Sequence, residues 1–252
     1  MLNLYAVVSA QGMWWMKFIS HWSGAGTAGP SLKGENNRSG ASHAMDIVSL
    51  LQVPSIVRRP DKFELWLSPE SLNKASELLS AVNKAPIVIF LGGERHTRHE
   101  SPERAEVWLS EIQRRWAVHP VIVGTTHDPG LLKRTTVDHT DLRGRCNIEE
   151  TAAVISKARA LITTHSAPQH FASVTQIPTV VLVGPGDAER YRPSLPEERM
   201  QLLRNPVPCS PCYFTECPWT GDEYKRCLTG ITPESIVQAF ERVFSVTYLN
   251  QP

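Results

Sequence analysis

From about residue 61 onward, helix-like segments of the chain alternate with strand-like segments. In the first helix-like segment, Leu72, Ala75 and Leu79 recur at helical spacing behind Ser68-Pro69-Glu70. A hydroxyl, a proline and an acid in this order suit a first helical turn, because the hydroxyl caps free amides and the acid faces the positive end of the helix dipole. The sequence therefore predicts a helix here. Comparable capping signals predict further helices that open at Ser101, Asn147, Ser166 and Thr232.

Short continuous apolar runs separate these helices and are typical of strands that are buried on both faces. They cover residues 87–91, 120–123, 160–162 and 179–183. Strands that alternate with helices form a parallel sheet, because a helical crossover returns the chain to the edge where the next strand begins. The predicted fold class is α/β, a Rossmann-like doubly wound parallel sheet. In such a sheet, ligands bind beyond the carboxyl ends of the strands.

The chain before this alternation has a different character. Residues 1–19 are apolar, but they lack a basic opening and are interrupted by polar residues, so we expect neither a signal peptide nor a membrane span. Residues 23–42 have the Gly-, Ser- and Asn-rich composition of a linker. We therefore expect an incomplete N-terminal segment at 1–60 and a Rossmann-like domain at 61–252, which carries a Cys-rich loop at 208–228.

The composition excludes several function classes. With 252 residues, 41% of them hydrophobic and 20% charged, the chain is that of an ordinary globular protein. The 26 basic and 25 acidic side chains give a net charge of +1. This balance leaves no electrostatic footprint for nucleic acid, so we expect no nucleic-acid partner and seek the function in local sites.

Three loops after predicted strands carry candidate chemistry. Residues 92–99 place two glycines before a cationic cluster, which suits either a diphosphate or a solvated basic loop. Residues 163–170 lead into a helix whose first amides are free to bind phosphate, although Ser166 also fits as a plain helix cap. Residues 184–187 (Gly-Pro-Gly-Asp) allow a ligand to approach the backbone closely, or form a simple turn.

Four cysteines in one loop form a separate candidate site. Cys209, Cys212, Cys217 and Cys227 supply enough thiolates for a tetrahedral structural zinc. Their spacing is not that of paired CxxC ribbons, so disulfides and reduced, buried thiols remain alternatives.

The ordered series of motifs resembles the C-terminal half of glycosyltransferase family 9, the lipopolysaccharide heptosyltransferases. The resemblance covers roughly residues 84–245 and is carried by Asp141-Leu142-Arg143-Gly144-Arg145, Thr164 to Ala172, Val183 to Asp187, and Pro208-Cys209-Ser210-Pro211-Cys212. It implies a GT-B architecture of two facing Rossmann-like domains. The C-terminal domain binds a nucleotide-sugar donor such as ADP-heptose, and the N-terminal domain binds a glycolipid acceptor and supplies the catalytic base.

The resemblance also implies site residues. The phosphate-contacting turn is Ser166, Ala167 and Gln169 with His170 behind it; Arg98 or His99 is the basic residue; Asp128 contacts the donor's nucleoside. The candidate donor-binding set is completed by Thr164, His165, Gly184 and Asp187. The family's transfer is inverting and metal-independent, so no cofactor is expected for catalysis. We expect a cytoplasmic protein that reaches the inner face of the membrane only through its acceptor.

The chain departs from the family's pattern in two respects. His165 stands where the family has an acid, and Ala167 stands where it has a glycine, which puts the sugar specificity in question. About sixty residues precede the first predicted strand, too few for the family's N-terminal domain, so no catalytic base is assigned. Two functions remain: heptosyl (or other sugar) transfer to a cell-envelope acceptor, and a truncated, inactive nucleotide-sugar-binding or interaction module.

Overall fold

The computed structural model describes residues 65–212 and 214–249. The expectations for residues 1–60 lie outside these ranges. The described sheet and helices belong to one compact unit, Phe63–Ala188 with Pro193–Pro252. Within the described residues, no helix has the length and apolar character needed to cross a membrane.

Helices and strands alternate along most of the described chain. The helices are α1 Pro69–Leu79, α2 Pro102–Arg115, α3 Ile148–Ser156, α4 Pro168–Thr175, α5 Arg226–Thr229 and α6 Pro233–Leu249. The strands are β1 Ala85–Phe90, β2 Val118–Ile122, β3 Thr140–Asp141, β4 Ala160–Thr164, β5 Thr179–Val183 and β6 Met200–Arg204.

Most of the predicted helix caps are present. The Ser68 and Ser101 hydroxyls each accept a hydrogen bond of 3.2 Å from the amide three residues later. Asn147 and Glu150 form a reciprocal capping box, in which each side chain accepts a 2.8 Å bond from the other residue's amide. The Thr232 hydroxyl caps α6 by accepting a hydrogen bond from the Ser235 amide. These caps satisfy amides that a helix start otherwise leaves unpaired.

The start of α4 differs from its prediction. The helix begins at Pro168, Ala167 occupies the cap position in helical geometry, and no side chain caps the helix. The amides of Gln169 and His170 instead donate to the carbonyls of Ser166 and Ala167, at 3.2 and 3.0 Å. Ser166 is therefore not a helix cap, because local backbone bonds already satisfy the amides that its hydroxyl would have reached.

The sheet has the strand order β3-β2-β1-β4-β5-β6, and every neighbouring pair is parallel. This confirms the predicted Rossmann-like doubly wound sheet. Two strands were not predicted from the sequence. β3 is only two residues long and β6 is a half-buried edge strand, so neither produces a continuous apolar run.

Alternate side chains of the central strand, β1, pack into two apolar layers, one on each face of the sheet. Ile87 and Ile89 of β1 face the layer under α2 and α6, whereas Val88 and Phe90 face the layer under α1, α3 and α4. A strand between two helical layers must be apolar on both faces, which explains the continuous runs in the sequence. Trp108 of α2 is fully buried in the first layer.

We predict that Phe240→Ala lowers the free energy of unfolding by about 3–5 kcal/mol, because it empties a buried aromatic cluster. Phe240 is fully buried, and its ring centroid lies 4.8 Å from that of Phe244 and 5.3 Å from that of Trp116. Chemical denaturation measures the change. The control Val107→Ala, on the exposed side of α2, should shift stability by no more than about 0.5 kcal/mol. A Phe240→Ala loss as small as the control's would contradict this packing.

Candidate functional site

The strand order reverses between β1 and β4, and the loops that follow these two strands meet at the carboxyl edge of the sheet. The Thr164 hydroxyl, at the end of β4, donates to the Gly92 carbonyl just after β1. The Arg98 Nη1 lies 3.5 Å from the His165 carbonyl oxygen. A side-chain carbon at Gly93, whose φ is +152°, would lie 3.2 Å from Arg98 Cβ and 3.8 Å from Ser166 Oγ. The loops therefore converge at a switch point, where doubly wound sheets bind ligands.

A cavity of about 740 Å³ opens at this edge. Its wall combines the loops after β1, β2 and β4 with the start of α3. Of the sequence-predicted donor residues, four line it: His99, Asp128, Ser166 and Ala167. The volume is in the range of cavities that hold a nucleotide-sized ligand.

The other predicted site residues lie outside this wall. Thr164 and Gln169 are buried, His170 is exposed at the start of α4, and Arg98 is half-buried in the loop after β1. Gly184 and Asp187 belong to the loop after β5, and neither lines the cavity. A ligand in the cavity as it stands would thus meet the loops after β1, β2 and β4, but not the Gly-Pro-Gly turn.

Asp128 holds two of the loops together. Its Oδ1 accepts a 3.1 Å hydrogen bond from the Gly93 amide. Its Oδ2 accepts from the Thr125 amide at 2.7 Å and from the Thr125 hydroxyl at 2.8 Å. A carboxylate is an acceptor only, and three donors from the protein occupy most of its capacity. Asp128 therefore clamps the β1 loop to the β2 loop at the edge of the cavity.

The residues from Gly93 to His99 form a basic turn whose donors are unequally available. The His99 Nε2 lies 2.8 Å from the Gly93 carbonyl oxygen, and because a carbonyl only accepts, this nitrogen carries the proton. A neutral His99 then has no proton left for a ligand. Arg98 makes only the long bond to His165, and its buried Nε has no hydrogen-bond partner among the described residues. Arg98 therefore has donors to spare.

Two consecutive amides, those of Ser166 and Ala167, belong to the loop after β4 at the edge of the cavity. Among the described residues, the amides of Ser166 and Ala167 donate no hydrogen bond. Both residues line the cavity, and Pro168 has no amide hydrogen of its own. Unpaired amides at a helix start are aligned with the positive end of the helix dipole, so they suit an anion.

His165 points away from the cavity. The residue is 3% exposed, and its amide donates to the Leu182 carbonyl at 3.1 Å. A side-chain carbon added to Gly186 would lie 2.1 Å from His165 Nδ1. The imidazole thus packs against the glycine of the next loop, which explains why the Gly-Pro-Gly turn cannot carry a larger residue there.

Several residues of the site were not predicted from the sequence. Cys146, Ile148 and Phe171 line the cavity, but side chains of these types give no signal apart from the fold. Arg143 also belongs to the site's framework: its Nη2 donates to Asp141 Oδ2 at 2.7 Å and its Nη1 donates to the Asp128 carbonyl at 2.7 Å. Burial opposes ionisation of Asp141, yet the hydrogen bonds from Arg143 keep the pKa of this carboxyl below its usual value.

The four clustered cysteines surround a second cavity, of about 570 Å³. Burial, and then the nearby thiols of Cys212, Cys209 and Cys217, raise the pKa of Cys227 to about 11. All four thiols are free. Within the described residues, no three His, Cys, Asp or Glu side chains are arranged to hold a metal ion. As placed, the sulfurs do not fit a zinc ion, and the structural zinc stays a prediction.

A parallel α/β sheet with a cavity at its switch point defines a Rossmann-like domain. Residues 64–221, more than half of the chain, match the family model of glycosyltransferase family 9 (heptosyltransferase). The chain belongs to this family.

Individual relatives agree with this assignment. Lipooligosaccharide heptosyltransferase 2 of Campylobacter jejuni is 23% identical over 113 residues, which are 45% of this chain and 34% of that protein. A family 9 glycosyltransferase from Veillonella parvula has the same fold, with a TM-score of 0.64, 17% identity, and coverage of 83% of this chain and 60% of that one. The ADP-heptose lps heptosyltransferase II of E. coli also has this fold, with a TM-score of 0.59 and 17% identity. The match covers 79% of this chain and 57% of that one. The chain therefore spans between a third and three fifths of these relatives, as one Rossmann-like half of a GT-B architecture.

We predict that Gly186→Ala destabilises the fold by about 1–3 kcal/mol, because the new methyl group collides with the buried imidazole of His165. Gly184→Ala is the matched control in the same turn, since its nearest neighbour would be Leu228 Cβ at an ordinary 3.4 Å. Denaturant unfolding compares the two variants. Equal stabilities would show that His165 does not press on Gly186.

We also predict an order of thiol alkylation near a pH of about 8, where the thiolate is the reactive form. Exposed Cys209 should react first, and Cys227 last, because it is buried and its raised pKa leaves little thiolate. Mass spectrometry of timed samples gives the order, with Cys146 as a reference thiol outside the loop. If zinc is bound, all four loop cysteines should instead be protected together and released by a chelator, and metal analysis should give about one equivalent.

Proposed function

We propose that this protein transfers a heptose, or a related sugar, from a nucleotide-activated donor to a lipopolysaccharide or other cell-envelope acceptor, and that the described residues form the donor-binding half. Family membership supports the class of reaction. The name of the E. coli neighbour contains ADP-heptose, which supports an adenosine diphosphate donor. The acceptor and its recognition are assigned to the family's other domain.

One observation supports the donor site above the others: Arg98 belongs to the loop that meets Ser166 and Ala167 beside the switch-point cavity, and Ser166 and Ala167 line that cavity. Their donors are uncommitted or nearly so, and they belong to loops that Thr164 ties together. A diphosphate presents several anionic oxygens, which a guanidinium and aligned amides can share. The nucleoside then lies toward Asp128 and the start of α3, where the cavity continues.

The chemistry follows from this placement. In inverting transfer, a base removes the proton of the acceptor hydroxyl, the oxygen bonds to the anomeric carbon, and the bond from that carbon to the diphosphate breaks. The departing diphosphate gains negative charge, which Arg98 and the two amides would stabilise as it develops. No metal ion is assigned to any step. We place the base in the family's N-terminal domain and assign it to no described residue.

The rival function is a nucleotide-sugar-binding or interaction module without turnover. It shares the donor site and differs in lacking the acceptor half. We propose the cytoplasm as the compartment, with the inner face of the membrane reached through the lipid-linked acceptor.

We predict that Arg98→Ala weakens ADP binding by about tenfold or more, since a charge-assisted hydrogen bond contributes about 1.5–3 kcal/mol. His99→Ala should weaken binding by less than about threefold, because its ring proton is already held by the Gly93 carbonyl. Isothermal titration with ADP and ADP-heptose measures both effects. Arg242→Ala, which removes an exposed charge on α6, is the control and should bind like the parent.

The two candidate functions separate in a second assay. Transfer of heptose from ADP-heptose to a lipopolysaccharide core acceptor by the full chain would establish the enzyme. Tight donor binding without transfer would favour the binding module. An Arg98→Ala variant that binds ADP as tightly as the parent would overturn the assignment of the basic turn, and a parent that binds no nucleotide at millimolar concentration would overturn the donor site itself.

A further inference from the structure

The Cys-rich loop, residues 208–228, touches the basic turn on both sides of Arg98. The hydroxyl of Thr97, a residue that is 3% exposed, donates to the Phe214 carbonyl at 3.0 Å. The ammonium of Lys225 donates to the His99 carbonyl. The two neighbours of Arg98 in the sequence are therefore both bonded to a loop that lies more than a hundred residues later.

Lys225 is held in place by its own backbone. Its φ of 52° is in the left-handed region, which a lysine adopts only where the surroundings require it. Its amide donates to Cys217 Sγ at 3.3 Å, and its carbonyl accepts from the Leu228 amide at 2.7 Å and the Thr229 amide at 2.9 Å. These bonds fix where the side chain starts. The backbone groups of Lys225 thus bond to Cys217 in the loop and to Leu228 and Thr229 in α5, and the side-chain ammonium takes no part in these bonds.

That ammonium enters a charged cluster beneath the basic turn. Burial lowers the pKa of Lys225, and the nearby carboxylates of Glu100, which is 2% exposed, and Glu216 oppose this shift. Glu100 Oε1 accepts from Arg104 Nε at 2.9 Å, whereas its buried Oε2 has no hydrogen-bond partner among the described residues. Arg104 continues to the Thr229 carbonyl at 2.9 Å. The turn, the first residues of α2 and the Cys-rich loop thus share one small network.

We infer that Lys225 is a positioning residue for the donor diphosphate: its ammonium holds the His99 carbonyl and thereby sets the direction of Arg98. This inference rests on the proposed function. The diphosphate is bound by groups on two loops, so its affinity depends on how accurately those loops are placed. Lys225 itself does not line the switch-point cavity, so it acts on the ligand through the turn.

The test is the Lys225→Met variant, which keeps most of the side-chain length and removes the ammonium. We expect ADP affinity to fall by about threefold to tenfold, no more than after loss of Arg98 itself. Arg226→Met is the matched control, because this exposed neighbour pairs only with Glu223 and should leave ADP affinity unchanged. Thr97→Val, which removes the other bond between the turn and the loop, should act in the same direction as Lys225→Met.

A double-mutant cycle separates positioning from general structural damage. If Lys225 acts through Arg98, then Lys225→Met should have little further effect on ADP affinity in an Arg98→Ala background. Equal effects in both backgrounds would overturn the inference.

The remaining outcomes distinguish this inference from the proposed function. A parent that binds ADP beside a Lys225→Met variant that binds it equally well overturns only the role of Lys225. A parent that binds no ADP overturns the donor site and, with it, the role of Lys225.

Discussion

The reversal of strand order between β1 and β4 is the constraint on which the site depends. In a parallel sheet, each strand end is followed by a loop that leads to a helix, and neighbouring loops normally turn the same way. At the reversal, the helices that follow β1 and β4 pack on opposite faces of the sheet, and a crevice opens beside the loops that lead to them. Every group proposed to meet the diphosphate comes from the loops after β1 and β4, and the groups nearest the nucleoside come from the next loops along the edge.

The crevice is shaped by hydrogen bonds that run between loops. Thr164 bonds to Gly92, Asp128 bonds to Gly93, and Lys225 bonds to His99, so the β1 loop is anchored from three directions. A loop with two glycines would lose much conformational entropy on ordering if it were free in solution. Because these hydrogen bonds order the loop during folding, the loop loses less conformational entropy when a ligand binds, which favours affinity.

Residues that are adjacent in the sequence differ in their roles because their hydrogen bonding and packing differ. Arg98 and His99 are both basic, but His99 donates its ring proton to a carbonyl, whereas Arg98 keeps unshared donors. His165 and Ser166 are likewise adjacent, yet the imidazole packs inward against Gly186 while Ser166 lines the cavity. The substitution of His165 for the family's usual acid therefore changes packing between two loops, and in this structure the imidazole does not reach the cavity.

The sequence by itself determined the fold class and most of the elements. Capping residues mark helix starts through local bonds, and buried strands require apolar residues on both faces, so both signals are written in short stretches of chain. The two strands without such a signal, β3 and β6, were missed. The cap predicted at Ser166 was wrong because local backbone bonds satisfied the amides first.

Only the tertiary structure decided which candidate residues share a cavity, that Asp128 is a clamp, and that Lys225 reaches the basic turn. Those relations join residues that are 35 to 126 positions apart, and no local pattern encodes a contact that arises only when the sheet brings distant loops together.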